Sequence, residues 1–200
     1  ADIIFQSDDG SGGTAEYFRL DGGVTKTIFS RQLRLQDNVE LEVGSSVDLK
    51  IYHDATDSYI HNETGDLRIE NDTTDGDIVF RSDDGSGGLS TYFRLDGGIG
   101  ATIVPDNKSL GFGSTGDMYI SHDSTNTKIE NHTGDLYINN KADDKDIIFQ
   151  CDDGSGGITT YFRLDGSIAR TSFFKHTIHN DNVHASFGDY PDLNIYHDGS

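Results

Sequence analysis

The sequence predicts an all-β protein built from a repeat, either a single-chain β-solenoid or an intertwined trimeric β-fibre of short strands. Three observations lead to this prediction. The phrase SDDGSGG at residues 7–13, followed by YFRLDG at 17–22, recurs with small changes at 82–97 and 151–166. Apolar residues alternate with a period of two, and no segment has helical periodicity. Only 33% of the chain is hydrophobic, with 24 Gly and 2 Pro, which suits thin strands stacked as rungs better than a thick core.

The repeated phrase predicts two strands joined by a polar, Gly-rich turn. Alternation places Ile3 and Phe5 on one face of the first strand, and Phe18 and Leu20 on one face of the second. We expect the apolar positions of the second strand to be buried in equivalent places in all three copies: Phe18, Leu20, Phe93, Leu95, Phe162 and Leu164.

The opposite face of the second strand carries charge. Arg19 and Asp21 are two residues apart, so they share a face and can pair, and the same holds for the two later copies. Because a one-residue slip would bury these charges, the pair is predicted to fix the register of the strand.

The chain forms one repetitive region, residues 1–200, with units at 1–76, 77–145 and 146–200, the last of them incomplete. The second unit is six residues shorter between Ile99 and Asp117, which predicts a shortened strand or loop around Pro105 to Ser109. Short strands of the pattern Asp-apolar-x-apolar are predicted to begin at Asp48, Asp66, Asp77, Asp117, Asp135 and Asp146.

The composition also bounds the partners. The net charge of −20 makes nucleic acid and anionic membranes poor partners, because both require a basic surface. Cys151, the single cysteine, replaces a serine of the other copies and can form no intrachain disulfide. From these residues we expect no signal peptide and no apolar run long enough to cross a membrane.

Taken together, the phrases SDDGSGG…YFRLDGG, DLxIYHD and TGDLYIxN resemble the repetitive shaft of tail-fibre-like structural proteins of marine phages. The resemblance spans nearly all 200 residues. It implies a long, often trimeric, extracellular fibre, and it carries over no catalytic residue. The expected partners are further copies of the chain, as a homotrimer or a head-to-tail polymer, and a cell-surface glycan as receptor. The expected location is extracellular or on a virion surface.

Three His-Asp pairs are the strongest candidates for chemistry. His53, His122 and His197 each share a strand face with apolar residues, so each imidazole is predicted to point toward the core side at a strand end. In a trimer, three copies could meet on the axis and bind a metal or an anion. The alternative is a structural histidine, hydrogen-bonded to a neighbouring carboxylate or to the backbone. Recurrence with the repeat favours that alternative, since an active site is needed once.

The Gly-rich turns are the second candidate site. Their paired carboxylates could hold Ca²⁺ or another divalent ion: Asp8, Asp9, Asp83, Asp84, Asp152 and Asp153. The spacing fits neither an EF-hand nor the nonapeptide of calcium-binding β-rolls. A tight turn in which Asp caps free amides is the structural alternative.

The sequence therefore favours a structural protein over an enzyme, and no cofactor is expected. The first hypothesis is the shaft of a phage tail-fibre-like structure. The second is a polymerising extracellular filament subunit or a microbial adhesin. The third, a solenoid that binds or cleaves polysaccharide, lacks the non-repeated cluster of carboxylates and aromatic residues that it requires.

Overall fold

The computed structural model describes residues 1–190 and 192–200. Within these residues the chain forms 17 strands and no helix, which confirms the all-β prediction. The strands form small antiparallel sheets of two or three members, each built from strands that follow one another in the chain.

The first repeat unit contains two sheets. The first is β1 (Ile3–Asp8), β2 (Thr14–Asp21) and β3 (Lys26–Phe29); the second is β4 (Leu41–Val43), β5 (Leu49–His53) and β6 (Ser58–Asn62). The second unit repeats the pattern with β7 (Ile78–Asp83), β8 (Leu89–Asp96) and β9 (Ala101–Ile103), then β10 (Ser109–Phe112), β11 (Met118–His122) and β12 (Thr127–Asn131). The third has β13 (Ile147–Asp152), β14 (Ile158–Asp165) and β15 (Arg170–Phe173), then β16 (Ala185–Phe187) and β17 (Leu193–Ile195).

Apart from its three sequence repeats, the chain divides by contact density into two compact parts, residues 1–81 with 94–103, and residues 82–93 with 104–200. The division passes through the sheet of β7, β8 and β9. The first compact part contains the sheets β1–β2–β3 and β4–β5–β6, and the second contains β10–β11–β12, β13–β14–β15 and β16–β17.

The hairpin predicted from the repeated phrase is present. Ile3 pairs with Leu20 and Phe5 with Phe18, and the register shifts after Phe5. The third copy has the same pairing and the same shift. Such a shift marks a β-bulge, which admits one extra residue and increases the local twist.

The turn of the hairpin requires glycine. Gly10 and Gly12 have φ of 84° and 88°, a region that side-chain-bearing residues rarely adopt. The Asp9 amide donates to the Gly13 carbonyl at 3.1 Å and closes the loop. The sequence SDDGSGG therefore supplies positive φ where the backbone reverses.

The shortened second unit is also as predicted. Residues 104–108 connect β9 to β10, whereas residues 30–40 connect β3 to β4. The six-residue difference falls within residues 30–36, of which residues 32–36 have no turn, bend or strand pairing in the first unit. The two sheets on either side are retained, so the deletion falls in a connection.

Two predictions about the fold are wrong for the single chain. Strands begin beside Asp48, Asp77, Asp117 and Asp146 as expected, but the segments after Asp66 and Asp135 belong to no sheet among the described residues. Neither segment forms a backbone hydrogen bond with any other described residue, so neither is paired as a strand.

The predicted burial also fails. Phe18 and Phe162 are half-buried, and the other four positions are exposed: Leu20, Phe93, Leu95 and Leu164. Each sheet is a single layer, and the apolar side chains that were expected to be covered remain half-buried or exposed. Among the described residues no hydrophobic side chain is buried, and Asp165, 5% exposed, is the one buried residue.

Candidate functional site

Two of the three candidate histidines lie at strand ends, as predicted, and the third lies just beyond a strand. His53 ends β5 and His122 ends β11, each on the same face as the central isoleucine of its strand. His197 follows β17 by two residues. The imidazoles therefore stand at the margin of an apolar surface.

Two of these histidines are held by a carboxylate that the sequence analysis did not identify. His122 Nδ1 lies 2.9 Å from Asp106 Oδ1, and His197 Nδ1 lies 3.0 Å from Asp181 Oδ1. The hydrogen bond from His122 lowers the pKa of Asp106. His53 bonds instead to Ser58 Oγ at 3.2 Å. The partners could have been found from the sequence, since the same Asp-to-His separation recurs in each unit.

A carboxylate on Nδ1 fixes the orientation of an imidazole and directs Nε2 away from it. That arrangement serves a structural contact or a metal ligand equally well. Within residues 1–190 and 192–200, no group of three His, Cys, Asp or Glu side chains is placed to hold a metal ion. A metal at His122 would therefore require ligands from another molecule.

In the Gly-rich turns the second aspartate of each pair caps the loop. Asp9 Oδ1 accepts hydrogen bonds from the Ser11 and Gly13 amides at 2.8 and 3.0 Å. These amides are the main cause of the lowered pKa of Asp9. Asp84 and Asp153 bond in the same way, and their pKa values are also lowered.

The first aspartate of each pair has a smaller role. The Oδ1 atoms of Asp8, Asp83 and Asp152 each accept the amide of the glycine two residues later, at 2.6 to 2.7 Å. The carboxylates thus bind amides of their own loop, which is the structural alternative. The proposed Ca²⁺ site remains a prediction.

The predicted Arg-Asp pair is part of a larger ion cluster. Arg163 contacts Asp165 at 2.7 Å, as expected, and also Asp146 at 2.9 Å. Asp146 in turn accepts the Gly166 amide at 3.0 Å. The cluster ties the start of β13 to the end of β14. Arg94 repeats it with Asp77 and Asp96.

The most extensive candidate surface is the uncovered side of the sheets. In the first sheet Phe5, Phe18 and Phe29 lie side by side across three strands, with ring centroids 4.2 and 5.7 Å apart. The third unit repeats this ladder at 4.3 and 5.8 Å with Phe149, Phe162 and Phe173.

The sheets β4–β5–β6 and β10–β11–β12 each carry a row of aliphatic side chains across their three strands. Leu41, Ile51 and Ile60 oppose one another in the second sheet, and their counterparts are Leu110, Ile120 and Ile129. All six side chains are exposed, from 37 to 61%. We call these rows and the two Phe ladders the apolar faces.

The accessible surface of the chain is much larger than that of a typical folded monomer of the same mass. The chain exposes 16165 Å², whereas a folded monomer of its 21.9 kDa exposes about 9,300 Å². Monomeric proteins seldom leave contiguous apolar patches above a few hundred Å². The apolar faces are therefore the part of the molecule that requires an explanation.

A shallow groove beside each hairpin follows the same repeat. Its volume is about 340, 360 and 350 Å³ in the three copies, and the floor in one of them is formed by Ile78, Leu95 and Thr102. Because each copy of the hairpin has one, the groove belongs to the scaffold and not to a unique ligand site.

The described residues include no helix that could span a bilayer. No family model matches the chain, and no match is found among the curated proteins or the solved structures.

Proposed function

We propose that the chain is a structural protein that assembles with copies of itself into the shaft of an extracellular fibre, of the kind carried by phage virions. The observation that carries the proposal is the set of apolar faces. A chain of 200 residues with no buried hydrophobic side chain among its described residues lacks the main term that stabilises folded proteins. Copies of the chain supply the missing cover.

The placement of the polar groups supports a structural role. The Asp-capped turns, the Arg-Asp clusters and the His-Asp contacts all recur with the repeat, and each stabilises a turn or a strand end. A catalytic centre needs one assembled set of groups, held apart from solvent in a pocket. Clusters that recur wherever the fold recurs are better explained as parts of the fold.

The charge and the resemblance support the location. A net charge of −20 keeps a large assembly soluble, and dissolved cations would screen its repulsion. The similarity of the phrases SDDGSGG, YFRLDGG and TGDLYIxN to tail-fibre-like proteins of marine phages favours a shaft that holds a tip away from a virion. A cell-surface glycan would then be the receptor at that tip.

Light scattering coupled to size exclusion tests the proposal. We expect the purified chain to elute at a multiple of its 21.9 kDa mass, three copies being the expected number. Negative-stain images of the native assembly should show fibres attached to capsids. A folded monomer with β-sheet circular dichroism would overturn self-assembly, and long free filaments would favour the polymerising subunit.

A further inference from the structure

Two segments of the chain have the sequence of strands and no partner. Residues 67–70 and 136–139, here called the bridging segments, follow Asp66 and Asp135 in equivalent positions of two units. Each runs without a bend or turn. In the described part of the chain, the amides and carbonyls of the bridging segments form no backbone hydrogen bond. Across residues 1–190 and 192–200, they are the only repeated Asp-apolar-x-apolar segments without a strand partner.

The apolar side chains of the bridging segments are also largely exposed to solvent. Leu67 and Ile69 are 48 and 60% exposed, and their counterparts Leu136 and Ile138 are 48 and 62% exposed. Between them Arg68 alternates, and it contacts Glu70 at 3.6 Å. In the second segment the alternating positions are Tyr137, which is 76% exposed, and Asn139. Each bridging segment therefore has one aliphatic side and two backbone edges without hydrogen bonds in the described part of the chain, and in the first segment the other side is charged. Those are the properties of a strand whose neighbours belong to another molecule.

The exposed area indicates how much surface that other molecule would cover. The chain exposes about 6,900 Å² more than a folded monomer of its mass. Obligate interfaces bury about 2,000 to 5,000 Å² or more in total, so a partner must cover much of the chain and not one patch. The partner must also present complementary features at the separation of 69 residues that relates Leu67 to Leu136. A second copy in register does so at both segments by symmetry.

We infer that each bridging segment pairs through its backbone with a strand of a neighbouring copy of the chain. The leucine and isoleucine of each segment point into the interior that the copies share, and the opposite side faces outward. This inference rests on the proposed self-assembly and adds to it which segments cross between chains.

Hydrogen exchange of the purified, full-length assembly tests the inference. The amides of residues 67–70 and 136–139 have no acceptor among the described residues of their own chain, so the inference attributes their protection to a neighbour. We expect their exchange to be slowed at least about 100-fold relative to an unstructured peptide. The internal control is the turn at Thr74 and Asp75, whose amides also donate no hydrogen bond within the chain and should exchange fast.

The outcomes separate the inference from the proposed function. An oligomer in which the bridging segments exchange as fast as the control turn would overturn the inference and leave self-assembly intact. A monomer would overturn both. If the amides are protected only when a different protein is added, that protein and not a second copy is the partner. This outcome would also overturn the inference.

A pair of substitutions provides a second measurement. Ile69→Asn places a polar group on the predicted interior side, whereas Arg68→Asn changes the outward side of the same segment. We expect the first to raise the concentration needed for assembly at least tenfold and the second to leave it within about threefold. Equal effects would contradict the predicted facing. If Ile69→Asn does not fold, the exchange of the unmodified protein still decides the question.

Discussion

Truncating Phe173 tests whether the apolar faces are covered in the functional protein. Phe173 ends the aromatic ladder of the third unit and is 61% exposed in the single chain. Its neighbour Phe174 is 53% exposed and lies on the opposite face, with its ring 5.6 Å from the Arg163 guanidinium. The two rings are thus matched in type, position and exposure, and they differ in the face that they occupy.

The magnitude follows from the covered area. Complete burial of a Phe side chain removes about 200 Å² from water, which is worth about 5 kcal/mol at 25 cal/mol per Å². The single chain covers about two fifths of Phe173 and about half of Phe174, so either Phe→Ala change would cost about 2 kcal/mol in an isolated chain. If the apolar face is covered by another copy, the cost at Phe173 rises to about 5 kcal/mol.

Denaturant unfolding of both variants, at one protein concentration and followed by circular dichroism, measures this difference. We expect Phe173→Ala to lose about 3 kcal/mol more per chain than Phe174→Ala. Equal losses near 2 kcal/mol would refute the argument, because they would mean that nothing covers the apolar face.

Three further predictions concern the turns and the histidines. Gly87 has φ of 88°, so Gly87→Ala should destabilise by about 1–2 kcal/mol in denaturant unfolding, and Gly87→Asn, which tolerates positive φ, by less. The Lys128 ammonium lowers the pKa of Asp123 from 3.8 to about 2. Because the folded pKa lies below the unfolded one, this stabilisation is full above pH 4 and is lost as pH falls toward 2; an acid titration of unfolding should show it, and Asp123→Asn should reduce it. His122→Ala should weaken assembly in light scattering, and a glycan-cleavage assay positive for the wild type and negative for this variant would contradict the structural role.

The sequence predicted the local structure well because local structure depends on local pattern. Period-two alternation gave the hairpin and its facing residues, and the two-residue spacing of Arg163 and Asp165 gave their ion pair. The Gly-rich phrase predicted the turn, since positive φ is a property of the residue itself. These features need no knowledge of what surrounds the hairpin.

Contacts between distant residues could not be derived in the same way. The bond between His122 and Asp106 depends on the loop before β10 folding back, where the Asn107 amide donates to the His122 carbonyl at 2.9 Å. The equal spacing of Asp and His in each unit could have indicated that the two residues form a contact. The turn geometry is needed to show that the Asp carboxylate reaches the imidazole. Asp146 joined the Arg163 cluster for a similar reason, because hairpin pairing brings it to the end of β14.

The failed predictions have a different cause. Alternation shows which face of a strand is apolar, but it does not show what covers that face. Leu20 and Leu164 have the pattern of buried residues and remain 43% exposed in one chain. The bridging segments have the pattern of paired strands and have no partner there. Both failures occur where a neighbouring copy is proposed to complete the structure.

The chain-order pairing of the strands has a consequence for how such an assembly forms. Every sheet joins strands that are consecutive in sequence, so loop-closure entropy is small and each sheet can form rapidly. Hairpins of this size form in about 1–10 μs, whereas encounters between chains depend on concentration. Folding is therefore predicted to occur in two kinetic stages: a fast, unimolecular stage that builds the small sheets, and a slower stage of higher order. Between them the apolar faces are exposed, and the mutual repulsion of highly acidic chains would limit premature aggregation.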